Sequence, residues 1–376
     1  MTDTEKTYFA VTGLGLEGPL ETELKALGSQ TTSASRGGVE FRANKEFLYR
    51  ALLSLRCAHR IFIQIRKSEV QDPEHLYEQA FKIDWASLFG VQNSIAVDCV
   101  LSGRKIEGLD HSGFLTLKLK DAICDKFREQ TGERPNVDKE NPKIRIHMRF
   151  SGTKCTLSLD AAGRSLHERG YRTETLEAPL KETMAAGILS LAGWKPGVPL
   201  IDPMCGSGTM AIEAALWAQG IRPGSMSPEF AALNWADFDR DLWNKVLAEK
   251  IPPIFTPIFA SDKQERAVAI AKSNANRANV LEDIQWQVAA FENLEIVKQK
   301  PGVLVFNPPY GERIGDRQGL SSLYSNIGKT LKRYPGWKAA VLVTDPQFAK
   351  AMGLESQRQI PLFNGPIEGR LLLFNL

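Results

Sequence analysis

The chain opens with a short apolar stretch, Tyr8 to Thr12 (YFAVT), that runs into the turn Gly13-Leu14-Gly15. Leu16, Leu20, Leu24 and Leu27 then recur at helical spacing until Gly28. This predicts a strand followed by a helix over Leu16 to Leu27. A strand over Gly38 to Arg42, a helix over Lys45 to Leu55 and a strand over Arg60 to Arg66 complete a small α+β unit. A second α+β unit runs from about Asp72 to Ser158. It has a strand over Ser94 to Ser102 and a helix over Ser112 to Gln130, where Leu115, Leu119, Ile123 and Phe127 step every four residues. After the polar stretch Thr131 to Pro142 come two alternating strands, Lys143 to Phe150 and Lys154 to Leu159. In the first, Lys143, Arg145, His147 and Arg149 share one face, opposite Ile144, Ile146 and Met148. A basic strand face is either solvated sheet surface or a contact for phosphates.

From Ala178 onward the pattern changes. Continuous apolar stretches at Pro199 to Asp202, Ile258 to Asp262, Val303 to Asn307, Ala339 to Thr344 and Leu371 to Asn375 alternate with helical periodicity. Such runs read as strands buried on both faces, which predicts a mostly parallel sheet between two layers of helices. Between the second unit and this sheet lies the arginine-dense segment Gly163 to Arg172 (GRSLHERGYR).

Composition adds limits rather than direction. The 376 residues suit two to three domains, and 43% hydrophobic with 24% charged residues is ordinary for a globular protein. A net charge of +3 is weak evidence for a polyanionic partner, so clustering matters more than the total. The five cysteines form no C-x-x-C pair, so neither a structural metal nor a disulfide framework is expected, and a reducing compartment is. The polar N-terminus does not read as a signal peptide, and no apolar run approaches the ~20 residues that span a bilayer. A cytoplasmic enzyme is the expectation.

Two motifs carry chemistry. Asp202-Pro203-Met204-Cys205-Gly206-Ser207-Gly208-Thr209 follows a buried strand and opens the apolar helix Met210 to Gln219. Its glycines allow a tight turn and close approach of a ligand, and the turn delivers N–H groups at a helix start. It matches neither G-x-G-x-x-G nor a P-loop. Asp262, at the end of the next strand, can accept hydrogen bonds from a ribose diol or cap the helix expected from Lys263. The second motif, Asn307-Pro308-Pro309-Tyr310-Gly311-Glu312-Arg313, follows the strand Val303 to Phe306. The prolines stiffen the turn and remove two N–H donors, leaving acceptors, with the Asn307 side-chain oxygen as another. Two converging acceptors suit an amino group with two hydrogens, and Tyr310 offers a face for a base. Holding both hydrogens frees the nitrogen lone pair for attack on a sulfonium methyl without a strong base.

With these residues in view, the chain resembles the THUMP-domain class I methyltransferases, in particular the bacterial large-subunit rRNA guanine-N2 methyltransferases. The likeness is to the N-terminal half of the RlmKL type, standing alone. It runs essentially full length and rests on Gly163 to Arg172, Ala178 to Thr183, Asp202 to Thr209, Leu233-Asn234-Trp235 through Trp243, Ala260 to Asp262 and Asn307 to Arg313. The resemblance implies a Rossmann-like methyltransferase domain over 161–376. Before it stand a ferredoxin-like domain (1–66) and a THUMP domain (67–160). It implies S-adenosylmethionine held by Lys181, Glu182, Thr183, Asp202, Pro203, Cys205, Gly206, Ser207, Gly208, Thr209, Asp262 and Asn307. The target amine lies on Asn307, Pro308, Pro309 and Tyr310. No Asp stands after the third strand, so the adenine is expected against backbone groups and Phe291. The expected substrate is guanine N2 in structured RNA, namely 23S rRNA or a large-subunit assembly intermediate, with no membrane and no obligate protein partner. The same motifs also serve tRNA guanine-N2 and adenine-N6 methylation, and a non-catalytic RNA-binding protein on the same fold is the remaining alternative. Arg164, Arg169 and Arg172, with Lys143 and Arg145, are the expected phosphate contacts; inter-domain salt bridges are the other reading of the first three.

Overall fold

The computed structural model describes residues 5–376 apart from 105, 174–179, 295–299, 310–316, 345 and 366, with the side chains of 317, 318 and 346–348 also left aside. Among these residues the chain builds two seven-stranded sheets.

The first sheet is made by β1 (Lys6–Val11), β2 (Thr32–Ser35), β3 (Gly38–Ala43), β4 (Arg60–Glu69), β5 (Ile95–Ser102), β6 (Ile144–Ser151) and β7 (Lys154–Asp160). Its order is β2-β3-β1-β4-β7-β6-β5. All pairs are antiparallel except β5 with β6. Four helices, α1 (Glu17–Ala26), α2 (Lys45–Ser54), α3 (Pro73–Phe81) and α4 (Ser112–Thr131), share one core with the inward residues of the sheet. Strand β4 pairs with β1 on one side and β7 on the other, so the two small α+β units predicted separately share a single sheet. The position 66–67 falls inside this strand. Its register shifts between Gln64 and Arg66, a bulge that reverses which residues face the core.

The second sheet contains β8 (Leu200–Asp202), β9 (Ile258–Asp262), β10 (Gln285–Val288), β11 (Val303–Phe306), β12 (Lys338–Val343), β13 (Arg358–Asn364) and β14 (Ile367–Asn375). The order is β10-β9-β8-β11-β12-β14-β13, with the first five strands parallel and β14 antiparallel to both β12 and β13. One face is covered by α5 (Glu182–Leu191), α6 (Thr209–Ala218) and α8 (Glu265–Arg277). The other is covered by α9 (Arg317–Leu331) and α10 (Pro346–Ala351). Helix α7 (Arg240–Ala248) leaves this sheet and packs Trp243 and Val246 into the core of the first unit. This is the mostly parallel sheet between two helix layers expected from the buried strands, and the Rossmann-like arrangement that the resemblance implies.

The Gly13-Leu14-Gly15 turn does more than join β1 to α1. It carries Leu16, fully buried, into the core of the second sheet. Gly15 has φ +88°, and a Cβ there would lie 2.2 Å from the carbonyl oxygen of Pro361 in β13. The opposite wall is Gly187 in α5, where a Cβ would meet Leu16 Cδ2 at 2.5 Å. Two glycines thus let the N-terminal unit seat against the C-terminal one.

Candidate functional site

The candidate site lies at the carboxyl ends of β9, β8 and β11, where the order of the sheet reverses. Strand β8 ends in Asp202, and the bend from Pro203 to Gly208 leads into α6. Gly206 and Gly208 take φ of +53° and +85°, a region that costs other residues strain. A Cβ on Gly208 would lie 2.9 Å from Ala271 Cβ in α8, so this glycine also permits close helix packing. A Cβ on Gly206 would meet nothing within 4 Å, so that side of the bend is open.

Hydrogen bonds fix the bend to the neighbouring strand. The Cys205 N–H donates to the Ser261 carbonyl at 2.9 Å, and the Gly206 N–H donates to Asp262 Oδ2 at 3.1 Å. Asp262 Oδ1 accepts from the Gln264 N–H at 2.9 Å. Gln264 stands at the N-cap position of α8 without a side-chain cap bond, and Asp262 reaches its N–H rather than the helix's first turn. Asn274 donates its amide to the Ser207 carbonyl at 3.1 Å, and the Ser207 and Thr209 hydroxyls lie 3.5 Å apart; both residues are buried.

Two acceptors in this arrangement have no partner. Asp202 is 1% exposed, and its Oδ1 is buried without a hydrogen bond; the same is true of Asn307 Oδ1. Leaving such atoms unpaired costs about 1–3 kcal/mol each, so a native structure that keeps two at the ends of adjacent strands, without a partner among the described residues, calls for an explanation. They are neighbours because β8 and β11 are adjacent parallel strands, with Leu200 opposite Val303 and Ile201 opposite Leu304. Asp202 and Asn307 each stand where their strand ends; continuing the register puts Asp202 opposite Val305, so Asn307 lies one strand over and two residues further along, about 8 Å away at a strand spacing of about 4.8 Å and a rise of about 3.3 Å per residue. The Ser261 hydroxyl, on β9, is a third buried group without a partner. Burial, then the nearby charge of Asp262, pushes the Asp202 carboxyl well above the usual range. A cation seated there would reverse that shift. The Cys205 thiol is likewise pushed up, by burial and then by Asp202 and Asp262, so it is no nucleophile. Beyond Asn307, Pro308 is buried and Pro309 half-buried; Tyr310 lies outside the described residues.

The start of α5 borders the region. Lys181 is its N-cap, and Glu182 and Thr183 fill the first turn, both buried. Glu182 Oε2 accepts from Arg172 at 2.9 Å, and burial, opposed by Arg172, pushes Glu182 up to about 7. The Thr183 hydroxyl meets His59 Nε2 at 2.7 Å. Burial, then Lys181 and His167, lowers His59 to about 4, so it is neutral at pH 7. No sequence signal pointed to His59, because it reaches α5 only through the docking of two separate units.

The structure corrects several assignments. Arg169 is 2% exposed, donates to the carbonyls of Leu166 and Arg56, and lies 3.6 Å from Glu213; it is out of reach of any phosphate. Arg172 is held by Glu182 and by the Leu180 carbonyl at 2.8 Å. Arg164 donates to the Ser227, Glu229 and Glu168 carbonyls and lies over Phe230. The arginine segment therefore ties the methyltransferase domain to itself, with salt bridges inside that domain rather than between domains, and among the described residues its arginines reach the N-terminal half only through Arg169 on the Arg56 carbonyl. Phe291 is 2% exposed and packs on Phe306 and Tyr334, ring centroids 5.4 and 6.2 Å away. It is core and has no face to offer an adenine. Lys143 is exposed, and Arg145 pairs with Asp98 at 2.8 Å on the open face of the first sheet.

Comparison with known proteins agrees with this division of the chain. The pattern described as "RMKL-like, methyltransferase domain" matches residues 169–372. "THUMP domain" matches 70–160, and "RlmL ferredoxin-like domain" matches 7–62. "Ribosomal RNA large subunit methyltransferase K/L" of Methylococcus capsulatus is 40% identical over 99% of this chain and 51% of its own length. The chain thus spans about half the length of that relative. "Putative RNA methyltransferase slr0064" of Synechocystis is 37% identical, with 99% of this chain and 97% of the relative covered. Among solved structures, SMU.472, described as a putative methyltransferase complexed with SAH, superposes with a TM-score of 0.89 at 29% identity, covering 100% of this chain and 99% of that one. On the strength of these matches, and of a parallel sheet ending in the Asp202 and Asn307 motifs, the chain belongs to the RMKL-like methyltransferase family, with RlmL ferredoxin-like and THUMP domains ahead of its methyltransferase domain.

Proposed function

We propose that this chain methylates the exocyclic N2 amine of a guanine in large-subunit ribosomal RNA. The cofactor is S-adenosylmethionine, which supplies, when bound, an electrophilic sulfonium methyl. The observation that carries the reading is the pair of buried, unpartnered oxygens, Asp202 Oδ1 and Asn307 Oδ1, at the ends of adjacent strands. The first fits the cationic methionine ammonium of the cofactor. The open side of Gly206 leaves room for it, and the raised Asp202 carboxyl regains its charge against a cation. Pro203, Cys205, Ser207, Gly208 and Thr209 shape that bend, with Lys181 to Thr183 bordering it. Asp262 already accepts two backbone N–H groups, and each carboxylate oxygen keeps a second lone pair for a ribose hydroxyl. Main-chain groups around Val288 to Ala290 meet the adenine, since Phe291 is committed to the core.

The second oxygen fits the substrate. Asn307 Oδ1 and a carbonyl of the Pro308-Pro309 turn accept the two hydrogens of the amine, and Tyr310 stacks on the base. Those contacts hold the nitrogen so that its lone pair leaves conjugation with the ring and points at the methyl. They strengthen as positive charge develops on nitrogen, which is what lowers the barrier. The proton released afterwards passes to water. The name of the Methylococcus capsulatus relative supports rRNA as the substrate, and that of the Synechocystis relative supports RNA. In this reading the ferredoxin-like and THUMP domains, about 1–66 and 67–160, deliver a folded RNA to the catalytic domain in the cytoplasm. Nucleoside mass spectrometry of rRNA from a deletion strain is the test. Loss of N2-methylguanosine, restored by the purified chain with S-adenosylmethionine, is expected. Loss of another methylated nucleoside instead would replace the guanine-N2 reading.

A further inference from the structure

The start of α5 is held from two directions. From its own domain, Arg172 donates to the Leu180 carbonyl at 2.8 Å and to Glu182 at 2.9 Å. From the other half of the chain, His59 Nε2 meets the Thr183 hydroxyl at 2.7 Å. Lys181 stands between these ties at the N-cap position, with no side-chain cap bond. This turn sits at the same end of the second sheet as the Asp202 and Asn307 motifs. Leu180 and Met184 share an apolar cluster with Cys205 and Met210. Met184 also closes a small pocket with Leu342 and Thr344, where β12 ends beside β11.

His59 is itself firmly placed. Its N–H donates to the Val11 carbonyl at 2.7 Å, at the end of β1, and its carbonyl accepts from the Leu166 N–H at 2.8 Å. The ring lies by the Gly13 turn: a Cβ on Gly13 would stand 3.7 Å from His59 Cε1 and 3.9 Å from Met184 Cε. His167 packs edge-on against it, ring centroids 6.2 Å apart. The ring is neutral at pH 7, so it brings Thr183 a directed hydrogen bond and not a charge. Thr183 is fully buried, so water does not compete for its hydroxyl. One turn further along α5, Gly187 receives Leu16. Positions 183 and 187 lie on one helix face, so the N-terminal half grips α5 at two successive turns. The Leu16 contact is apolar and tolerates small rotations of the helix. The His59 bond is directional, and it is the contact that fixes the rotation of the first turn.

We propose that His59 is a positioning residue for the cofactor: through the Thr183 hydroxyl it fixes the first turn of α5, so that cofactor affinity in the methyltransferase domain depends on a side chain of the ferredoxin-like domain. The proposal rests on the reading that Lys181 to Thr183 border bound S-adenosylmethionine, and His59 acts only through Thr183. A site whose groups must be held to within about 0.5 Å loses affinity when the contacts supporting them are free to shift. The dependence runs both ways, because a coupling free energy is shared by both sites. A bound cofactor steadies the junction of the two halves by as much as the junction steadies the cofactor.

The test uses the full chain, with S-adenosylhomocysteine affinity read by calorimetry and folding by a melt without ligand. His59→Leu fills the space and removes the bond; affinity should fall at least about 5-fold, the lower end of couplings between sites. His59→Gln carries an amide towards the position of Nε2 and should recover most of that loss, which a mere filler of space would not. Thr183→Val removes the other end of the same bond. The double variant His59→Leu/Thr183→Val should therefore bind within about 2-fold of the weaker single variant. Wild-type affinity in His59→Leu would overturn the proposal. So would losses that multiply in the double variant, since the two side chains would then act separately. Should His59→Leu not fold, Thr183→Val decides: a loss of at least about 5-fold supports the proposal and wild-type affinity overturns it. A wild type that binds no S-adenosylhomocysteine would sink the cofactor reading itself, and the proposal with it.

Discussion

Replacing Asn307 with Ala separates a catalytic role for this side chain from a purely structural one. In the free protein its Oδ1 is a buried acceptor with nothing to accept from. Removing it deletes a penalty of about 1–3 kcal/mol. Against that stands the space vacated by the amide, about 40 Å³, which at about 24 cal/mol per Å³ costs about 1 kcal/mol. The balance for the free protein is about 0 to +2 kcal/mol, a melting temperature unchanged or raised by up to roughly 4–8 °C. Turnover should move the other way. A positioned contact that strengthens only in the transition state is worth about 100-fold or more in kcat, about 2.7 kcal/mol. S-adenosylhomocysteine affinity should stay within a few-fold. The assays are a thermal melt without ligand, calorimetry with S-adenosylhomocysteine, and single-turnover methyl transfer to RNA. A variant that melts several degrees lower yet turns over normally would refute the reasoning. A loss of turnover matched by a loss of cofactor affinity would reassign Asn307 to the cofactor.

Other expectations follow from the same geometry. Asp202→Asn should weaken S-adenosylhomocysteine binding at least about 10-fold by calorimetry without lowering the melting temperature, since the buried carboxyl it replaces is costly to ionise. Gly208→Ala combines a left-handed backbone, about 1–2 kcal/mol, with a contact 2.9 Å from Ala271 Cβ, about 1–3 kcal/mol; chemical denaturation should report about 2–5 kcal/mol lost. Glu182 has a folded value near 7 against an ordinary 4.5, so the folded state holds a proton that the unfolded state has released. Stability should therefore fall as pH rises from about 4.5 to 7, by at most about 3 kcal/mol, and melts of Glu182→Gln should lack that slope. His59 titrates in the opposite sense: with a folded value near 4, its contribution is complete above pH 6.5 and is lost as pH falls towards 4, a slope His59→Gln should remove.

Most elements were legible because their burial is simple. The alternation over Ile144–Ser151 and the continuous apolar runs of Ile258–Asp262 and Val303–Phe306 each meet one kind of surroundings along their whole length. Strands β2 and β13 escaped for the converse reason. Thr32–Ser35 is a short, mostly exposed edge strand with no alternation, and Arg358–Asn364 carries Pro361, which an edge strand tolerates and a central one does not. The glycine bend was legible because its backbone angles demand glycine regardless of what lies around it. The roles of side chains that act across the two halves were not. Arg169 reads as a surface cation next to Glu168 and Gly170, and only the fold brings it to Glu213, 44 residues away.

That buried arginine belongs to the joint between the two halves. Arg56, Arg169 and Glu213 form a charged group at the junction of the two halves, with the Tyr171 hydroxyl donating to Glu213 at 3.1 Å and Arg56 donating to the Ile221 carbonyl at 2.7 Å. Removing one partner from such a group leaves a buried charge uncompensated, typically about 3–5 kcal/mol, so the junction resists opening. Leu16, seated between Gly187 and the second core, and the His59–Thr183 contact bind the same junction with apolar and neutral groups. The open sheet face therefore stands at a fixed distance from Asn307. If RNA is the substrate as proposed, a rigid spacing of that kind selects it by shape: a target base reaches the Asn307 turn only if it lies at the right span from the part of the RNA held by the N-terminal half. Under that reading sequence around the target base is a weaker determinant than the fold that presents it, and Arg169, expected on phosphate, contributes instead by joining the two halves through the Arg56 carbonyl.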